Sequence, residues 1–169
     1  MRPISAGLAL VSGLSCAPSR EPPPPAPQLA PKAPVDQPLF AIDTAGADRL
    51  FKTIQPCILR AQGTYVEAKH RYVVGLPPDQ SFFVTVRVRD SLSRTEQVFV
   101  VVDSIKNDTA SGRIASTLGI VHGFYKGQPL VFPETQVLDW TISHPDGTEE
   151  GNYVGKFVDE LQAGGHPTC

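Results

Sequence analysis

The residues best suited to binding a ligand are Asp139 and Trp140, which are adjacent in a chain that contains a single tryptophan. A carboxylate beside a large aromatic ring at a strand end could bind a sugar or a peptide amine, with the ring as a stacking platform. Asp146, in the Pro-Asp-Gly turn that follows, completes the predicted binding set. The structural alternative is that Asp139 accepts hydrogen bonds from backbone amides while Trp140 fills the core, and residue statistics favour this alternative.

A catalytic alternative uses Glu96, His122 and Asp139 as an acid–base set around Trp140, as in a small hydrolase, if the fold brings them together. No other catalytic or cofactor motif is visible. The sequence contains no phosphate-binding loop, dinucleotide fingerprint or nucleophile elbow. The histidines also lack metal-ligand spacing. The sequence therefore predicts no metal and no cofactor, and it favours a non-catalytic protein. The four histidines are His70, His122, His144 and His166.

The first residues are typical of a secretory signal peptide. Arg2 precedes a short apolar run, Ile4–Leu14, and Cys16 follows it directly. The run is far shorter than the ~20 residues that span a bilayer as a helix. We expect a lipoprotein-type signal over residues 1–15 and lipidation of Cys16, and Ala17 after the cysteine implies outer-membrane retention by resemblance to bacterial lipoproteins. The alternative is an ordinary secretory leader with an incidental cysteine.

Residues 16–38 form a linker in which nine prolines fall between Pro18 and Pro38. Proline fixes φ and removes a backbone donor, so neither a helix nor a sheet ladder can form there. We expect an extended polyproline II spacer that holds the following domain, residues 39–163, away from a membrane. A proline-rich ligand for a partner groove is the less favoured alternative.

The charge balance limits the classes of partner. Fifteen basic and seventeen acidic side chains leave a net charge of −2, and no run of Lys or Arg is present. The electrostatic footprint of a nucleic-acid-binding protein is therefore missing. The sequence predicts contact with the membrane through the lipid anchor only. The expected partner is an envelope protein, a peptide or a glycan.

The domain opens with a predicted helix. Its apolar positions, from Ala47 to Ala61, recur at the spacing of one helical face. Asp43 or Thr44 is the expected N-cap, because a short side-chain oxygen can accept a hydrogen bond from an orphan amide. Pro56 predicts either a kink or the start of a second helix. The helix is expected to end near Gly63.

Strand patterns follow the helix. Residues 82–88 and 96–105 predict an antiparallel hairpin, with further strands at 111–115, 130–132 and 137–142. The stretch 118–124 fits either strand or loop, and 153–161 fits a strand, a short helix or a strand leading into a helix. This order predicts an α+β fold: an N-terminal helix packed on a twisted, mainly antiparallel sheet of five or six strands, with a short C-terminal helix as an open alternative. Residues 164–169 are expected to be a loose tail.

Two cysteines remain once Cys16 is assigned to lipidation. Cys57 and Cys169 could form a disulfide that ties the C-terminal tail to the helix, because an oxidising compartment permits it. The alternative is that Cys57 is only a small buried residue on the apolar stripe. A nucleophilic Cys57 is less favoured, because only Arg60 nearby in sequence would lower the pKa of its thiol.

The order of these landmarks resembles domain of unknown function 2314, the YegJ-like domain, over roughly residues 45–160. The most specific element is the Asp139-Trp140 pair with its glycine-rich return through Gly151. The resemblance implies a compact α+β domain and no known activity. The other matching segments are the helix containing Ala61, Gly75-Leu76, Phe83-Val84-Thr85-Val86, Glu96-Gln97-Val98-Phe99-Val100, Gly112-Arg113-Ile114, Gly127-Gln128-Pro129-Leu130-Val131 and Asp146-Gly147.

Overall fold

The computed structural model of the protein describes residues 40–41 and 44–169. The predicted signal, the lipidation site Cys16, the linker and the proposed cap Asp43 all lie outside the described residues. A long helix comes early in this part of the chain, strands follow it, and a short helix closes it. The elements are β1 (Phe40–Ala41), α1 (Thr44–Val74), β2 (Ser81–Arg89), β3 (Thr95–Lys106), β4 (Thr109–Ile114), β5 (Pro129–Pro133), a 3-10 turn (Glu134–Gln136), β6 (Asp139–Ser143), β7 (Glu149–Gly151) and α2 (Tyr153–Gln162).

Six strands form one antiparallel sheet in the order β5-β4-β3-β2-β6-β7, and the two-residue β1 pairs with the start of β3. The predicted hairpin of β2 and β3 lies at its centre. β5 is an outer strand with Pro133 at its end, where the missing backbone donor does not interrupt a ladder. The α+β architecture predicted from the sequence is therefore confirmed.

The main core lies between α1 and one face of the central strands. Alternate residues of β2, such as Val84 and Val86, are fully buried together with Val98 and Val100 of β3. Ala61, Tyr65 and Ala68 of α1 belong to the same cluster, as does Trp140.

A second, smaller core joins the two helices. Ile54, Cys57 and Ile58 of α1 pack with Val154 and Val158 of α2. β7 continues directly into α2 through Gly151, which has a φ of +72°. A Cβ at position 151 would collide with the carbonyl oxygen and the ring of Trp140. Only glycine therefore fits this passage, which places α2 against α1 and β6.

Three details of the prediction are wrong or incomplete. The helix does not end near Gly63 but continues to Val74, because Tyr65 and Ala68 extend its buried stripe over two further turns. Pro56 lies inside this one helix and starts no second one. β1 was not predicted, because two residues are too few to show a strand pattern.

The alternatives left open are decided by the structure. Residues 118–124 form a loop, and residues 153–162 form a helix. Within the described residues, no helix combines the length and the apolar character needed to cross a membrane.

Candidate functional site

Asp139 lies at the start of β6 and is 1% exposed. Its two carboxylate oxygens accept hydrogen bonds from the backbone N–H of Trp140 and of Val154, each at 2.7 Å. Burial raises the pKa of Asp139 to about 7, although these amides and the charge of Lys156 oppose the shift. The side chain therefore joins β6 to the first turn of α2, and both of its oxygens are engaged within the protein.

The Trp140 ring is buried rather than presented to a ligand. Its Nε1–H donates to the carbonyl oxygen of Ala61 at 3.2 Å and to Oγ1 of Thr64 at 3.0 Å. Tyr153 packs edge-on against it with ring centroids 6.1 Å apart. The ring thus connects β6, α1 and α2, and this arrangement is the structural alternative that the sequence left open.

Glu96 is also buried, at 1% exposure, and holds a loop in place. Its carboxylate accepts hydrogen bonds from the amides of Gly119, Ile120 and Val121 at 2.7–3.2 Å. The carboxylate is therefore occupied by the protein's own backbone and is not open to a substrate. The next residue, His122, has an exposed side chain.

The structure does not bring Glu96, His122 and Asp139 into one cleft. Asp139 is opposite Thr85 on one side of β2, whereas Glu96 is opposite Val88 on the other side. Because Asp139 and Glu96 are two strands and three residues apart, their backbones lie roughly 14 Å from each other. An odd number of residues along a strand also places their side chains on opposite faces of the sheet. Acid–base partners must lie within hydrogen-bond reach, directly or through one water. These residues are too far apart for that.

Asp90 is a buried acid that the sequence did not single out. It accepts hydrogen bonds from the amides of Leu92, Arg94 and His122, and it forms an ion pair with the Arg94 guanidinium. Burial alone would raise the pKa of Asp90, but the Arg94 side chain and the amides outweigh it and lower the pKa to about 2. Asp90 thus anchors both its own loop and the 119–122 loop, which is distant in sequence.

Asp146 forms a local turn. Its Oδ1 accepts from the N–H and the Oγ1–H of Thr148 at 2.9 and 2.7 Å, and these bonds lower the pKa of its carboxyl. In the following hairpin, His144 contacts Glu150 at 3.0 Å, and Glu150 also pairs with Arg71. His70 and His166 are exposed. Among residues 40–41 and 44–169, no group of three His, Cys, Asp or Glu side chains could hold a metal ion.

The structure instead shows a pocket that the sequence did not predict. Its volume is about 400 Å³, within the usual range of ligand sites. α1, α2 and the C-terminal tail all contribute to it, so residues far apart in sequence meet there. The pocket combines two cations, one anion and two aromatic rings, and its lining includes Arg60, Tyr153, Lys156, Phe157, Glu160 and Cys169.

The polar groups of the pocket are held in place by the backbone. The Arg60 guanidinium lies 4.9 Å from the centroid of the Tyr153 ring and donates to the carbonyl oxygen of Cys169 at 2.9 Å. Lys156 Nζ donates to the carbonyl oxygens of Gly151 and Glu149 at 2.7 and 3.2 Å. Each cation retains N–H groups beyond these bonds, so both can still donate to a ligand.

One wall of the pocket depends on the disulfide between Cys57 and Cys169, whose Cα atoms are 4.9 Å apart. The bond joins a fully buried position of α1 to the last residue of the chain. The tail was expected to be loose, but its end is fixed by this bond and by Arg60. The pocket wall at Thr168 and Cys169 therefore exists because the tail is tied to α1.

Comparison with known proteins adds no family assignment: no family model, no curated protein and no solved structure matches this chain. The resemblance to the YegJ-like domain therefore stays a prediction. The pocket could not be predicted from the sequence, because Arg60 and the Tyr-Val-Gly-Lys-Phe segment match no motif and meet only when α2 packs on α1.

Proposed function

We propose that this protein is a lipid-anchored, stalked module of the bacterial cell envelope that binds a protein, peptide or glycan and performs no catalysis. The proposed location in the cell envelope is supported by the predicted signal, Cys16 and the proline-rich linker. The observation that carries the binding function is the pocket bounded by Arg60, Lys156, Tyr153 and Phe157. The engagement of Asp139 and Glu96 by backbone amides supports a non-catalytic role, because neither carboxylate is open to a substrate.

The chemistry of the pocket favours a ligand that carries a carboxylate. A guanidinium can donate two parallel hydrogen bonds to a carboxylate, and Lys156 adds a second positive charge on the same side. The rings of Tyr153 and Phe157 offer apolar surface for a sugar ring or an aliphatic side chain. Glu160 disfavours a ligand with a dense negative charge. An acidic peptide or an acidic sugar therefore fits better than a polyphosphate.

The anchor is tested by the intact mass of the protein recovered from native membranes, measured before and after reduction. The proposal predicts a mass that starts at a diacylated or triacylated Cys16 and rises by two hydrogen masses on reduction. An unmodified mass recovered from soluble fractions would contradict the anchor, and the spacer role of residues 16–38 would be lost with it.

The binding function is tested by NMR on the full chain with soluble peptidoglycan fragments that carry free carboxylates. Neutral chitin oligosaccharides serve as the matched probe. The acidic fragments should shift the amides of Gly151, Lys156 and Thr168, with little change at Val131 on the outer strand β5. Shifts of equal size with the neutral probe would contradict the carboxylate preference, and shifts confined to β5 would contradict the pocket.

A further inference from the structure

The outer face of α1 carries an aligned row of exposed apolar side chains. Leu59, Val66 and Val73 follow at intervals of seven residues and are 61%, 75% and 62% exposed. Side chains at this spacing lie along one face of a helix. Single exposed apolar residues are ordinary, but three of them aligned on one face of a helix, each two turns from the next, indicate a surface that contacts another molecule. No residue among 40–41 and 44–169 covers this face.

The residues that alternate with this apolar row have small or flat side chains. Pro56, Gly63 and His70 alternate with the apolar row at the three- and four-residue spacing of a coiled-coil seam. We call these six residues the α1 seam. A Cβ at Gly63 would meet no heavy atom within 4 Å, so packing within one copy does not require glycine there. Because glycine weakens a helix relative to alanine, its place in mid-helix is better explained by a contact from outside.

We propose that two copies of this chain associate through the α1 seam, with the helices antiparallel about a two-fold axis. In that register Val66 of each copy lies over Gly63 of the other, and Leu59 lies over His70. Pro56 and Val73 form the outer layers. Each large side chain then faces a small or flat one, so the seam is complementary to itself, as a two-fold interface requires.

The charges beside the seam favour a second copy in this orientation. Arg60 and Glu67 lie on the same flank of α1, and antiparallel packing brings equal flanks together. Arg60 of one copy therefore faces Glu67 of the other, and the pair occurs twice. On the other flank, Lys69 is paired with Glu134 at 2.8 Å. Because this carboxylate offsets its charge, Lys69 adds little repulsion between the two copies.

This inference goes beyond the proposed ligand site, and it concerns a different surface that meets the pocket only at Arg60. Two envelope modules joined at α1 would present two pockets on one assembly. Such an assembly would gain apparent affinity for a repeating ligand without any new contact.

The proposal is tested by sedimentation equilibrium of the full chain in a density-matched detergent, across a concentration series reaching about 100 µM. The wild-type protein should form a dimer. Gly63→Leu should raise the dimer dissociation constant at least tenfold, yet leave the melting temperature of the monomer unchanged or higher, because the position is open within one copy. Gln162→Leu, at an exposed position of α2, is the matched control and should leave the dimer intact.

Charge exchange tests the orientation. R60E and E67R should each weaken the homodimer about tenfold, because each places two like-charged pairs across the interface. An equimolar mixture of the two variants should regain the dimer, because both flanks then pair opposite charges. A parallel dimer would not respond in this way.

Three results would overturn the proposal. The first is a wild-type monomer throughout the series, whether the seam is bare or occupied by residues 1–39. The second is a dimer that tolerates Gly63→Leu. The third is a mixture of R60E and E67R that stays monomeric. The Gly63→Leu result leaves the proposed ligand site untouched, because Gly63 does not line the pocket, whereas Arg60 does, so R60E is read for association only.

Discussion

Two neighbouring regions of the molecule use similar residue types in opposite ways. At the start of β6, Asp139 and Trp140 hold an acid and an aromatic ring that are almost fully buried and bonded to the backbone. On the far side of Tyr153, the pocket holds charged groups and rings that remain accessible. The more distinctive pair in the sequence is thus engaged within the protein, and the less distinctive set forms the proposed binding site.

The buried polar groups of the first region position the elements of the second. A carboxylate removed from water needs donors, and Asp139 finds them in the amides that start α2. Trp140 satisfies its own donor on α1. Together they position α2, and α2 supplies Tyr153, Lys156 and Phe157 to the pocket. Asp139 and Trp140 therefore position the residues of the pocket. Substitutions in the two regions should distinguish effects on stability from effects on binding.

The largest expected effect is that of Trp140→Ala on stability. Removing a buried ring that contacts α1 and Tyr153 should lower the free energy of unfolding by about 3–5 kcal/mol. Urea denaturation monitored by circular dichroism measures the loss. Trp140→Phe, which keeps most of the packing and removes the two Nε1 hydrogen bonds, should lose less. A loss below about 1 kcal/mol for Trp140→Ala would mean that the ring is an exposed platform.

The next effect is that of removing the disulfide. The double variant C57A/C169A should lose about 2–5 kcal/mol, the typical cost of removing a native disulfide, since the bond closes a long loop with a sequence separation of 112 residues. The same variant should lose ligand binding, because the tail no longer forms the pocket wall. Urea denaturation and NMR titration of the same preparation measure both losses. If stability falls while binding is retained, the tail does not contribute to the site.

The pH dependence of stability distinguishes Asp139 from Asp90. The pKa of Asp139 is raised from 3.8 to about 7 in the folded protein, so its stabilising contribution is fully present below pH 4 and is lost as the pH rises towards 7. The pKa of Asp90 is lowered to about 2, so its contribution is present above pH 4 and is lost as the pH falls towards 2.

This prediction is checked by urea midpoints measured from pH 2 to pH 8. Asp139→Asn should remove the decline between pH 4 and pH 7, and Asp90→Asn should reduce the decline below pH 4. If the urea midpoint of Asp139→Asn still falls between pH 4 and pH 7, as in the wild type, another group is responsible for the decline.

The smallest effect on stability is expected for Lys156→Ala. Its side chain is exposed, and its bonds to two carbonyl oxygens lie at the surface, so the free energy of unfolding should change by no more than about 0.5 kcal/mol. Ligand affinity should nevertheless fall about tenfold, since a charged hydrogen bond is lost. Lys126→Ala, also exposed but distant in sequence from the pocket residues, is the control for net charge. Equal affinities for the two variants would contradict a role for Lys156.

Local patterns predicted much of the fold. The alternation in residues 82–88 identified β2 as a strand, because strand side chains repeat every two residues, although residues 82–86 are buried on both faces of the sheet. Pro133 lies at the end of the outer strand β5, a position that suits a residue without a backbone donor. The end of α1 could not be predicted, because Gly63 interrupts the local signal while contacts from Tyr65 and Ala68 to distant strands extend the helix.

The candidate site was harder to predict than the fold. Nothing near Asp139 in sequence shows that its partner is the amide of Val154, fifteen residues later. Arg60 and Cys169 lie 109 residues apart and meet only through the tail. The two cysteines did indicate their disulfide, because an even pair in a compartment predicted to be oxidising is informative without any knowledge of the fold.

The most direct test of this account is photo-crosslinking in the living cell, with a benzophenone amino acid placed at Thr168 on the pocket rim or at Val131 on β5. Both positions are exposed, so the two probes differ in location and not in accessibility. If the pocket binds the ligand, position 168 should give an envelope adduct that Lys156→Ala abolishes, and position 131 should give none. An adduct from position 131 alone, or one from position 168 that survives Lys156→Ala, would contradict the assignment of the pocket as the binding site.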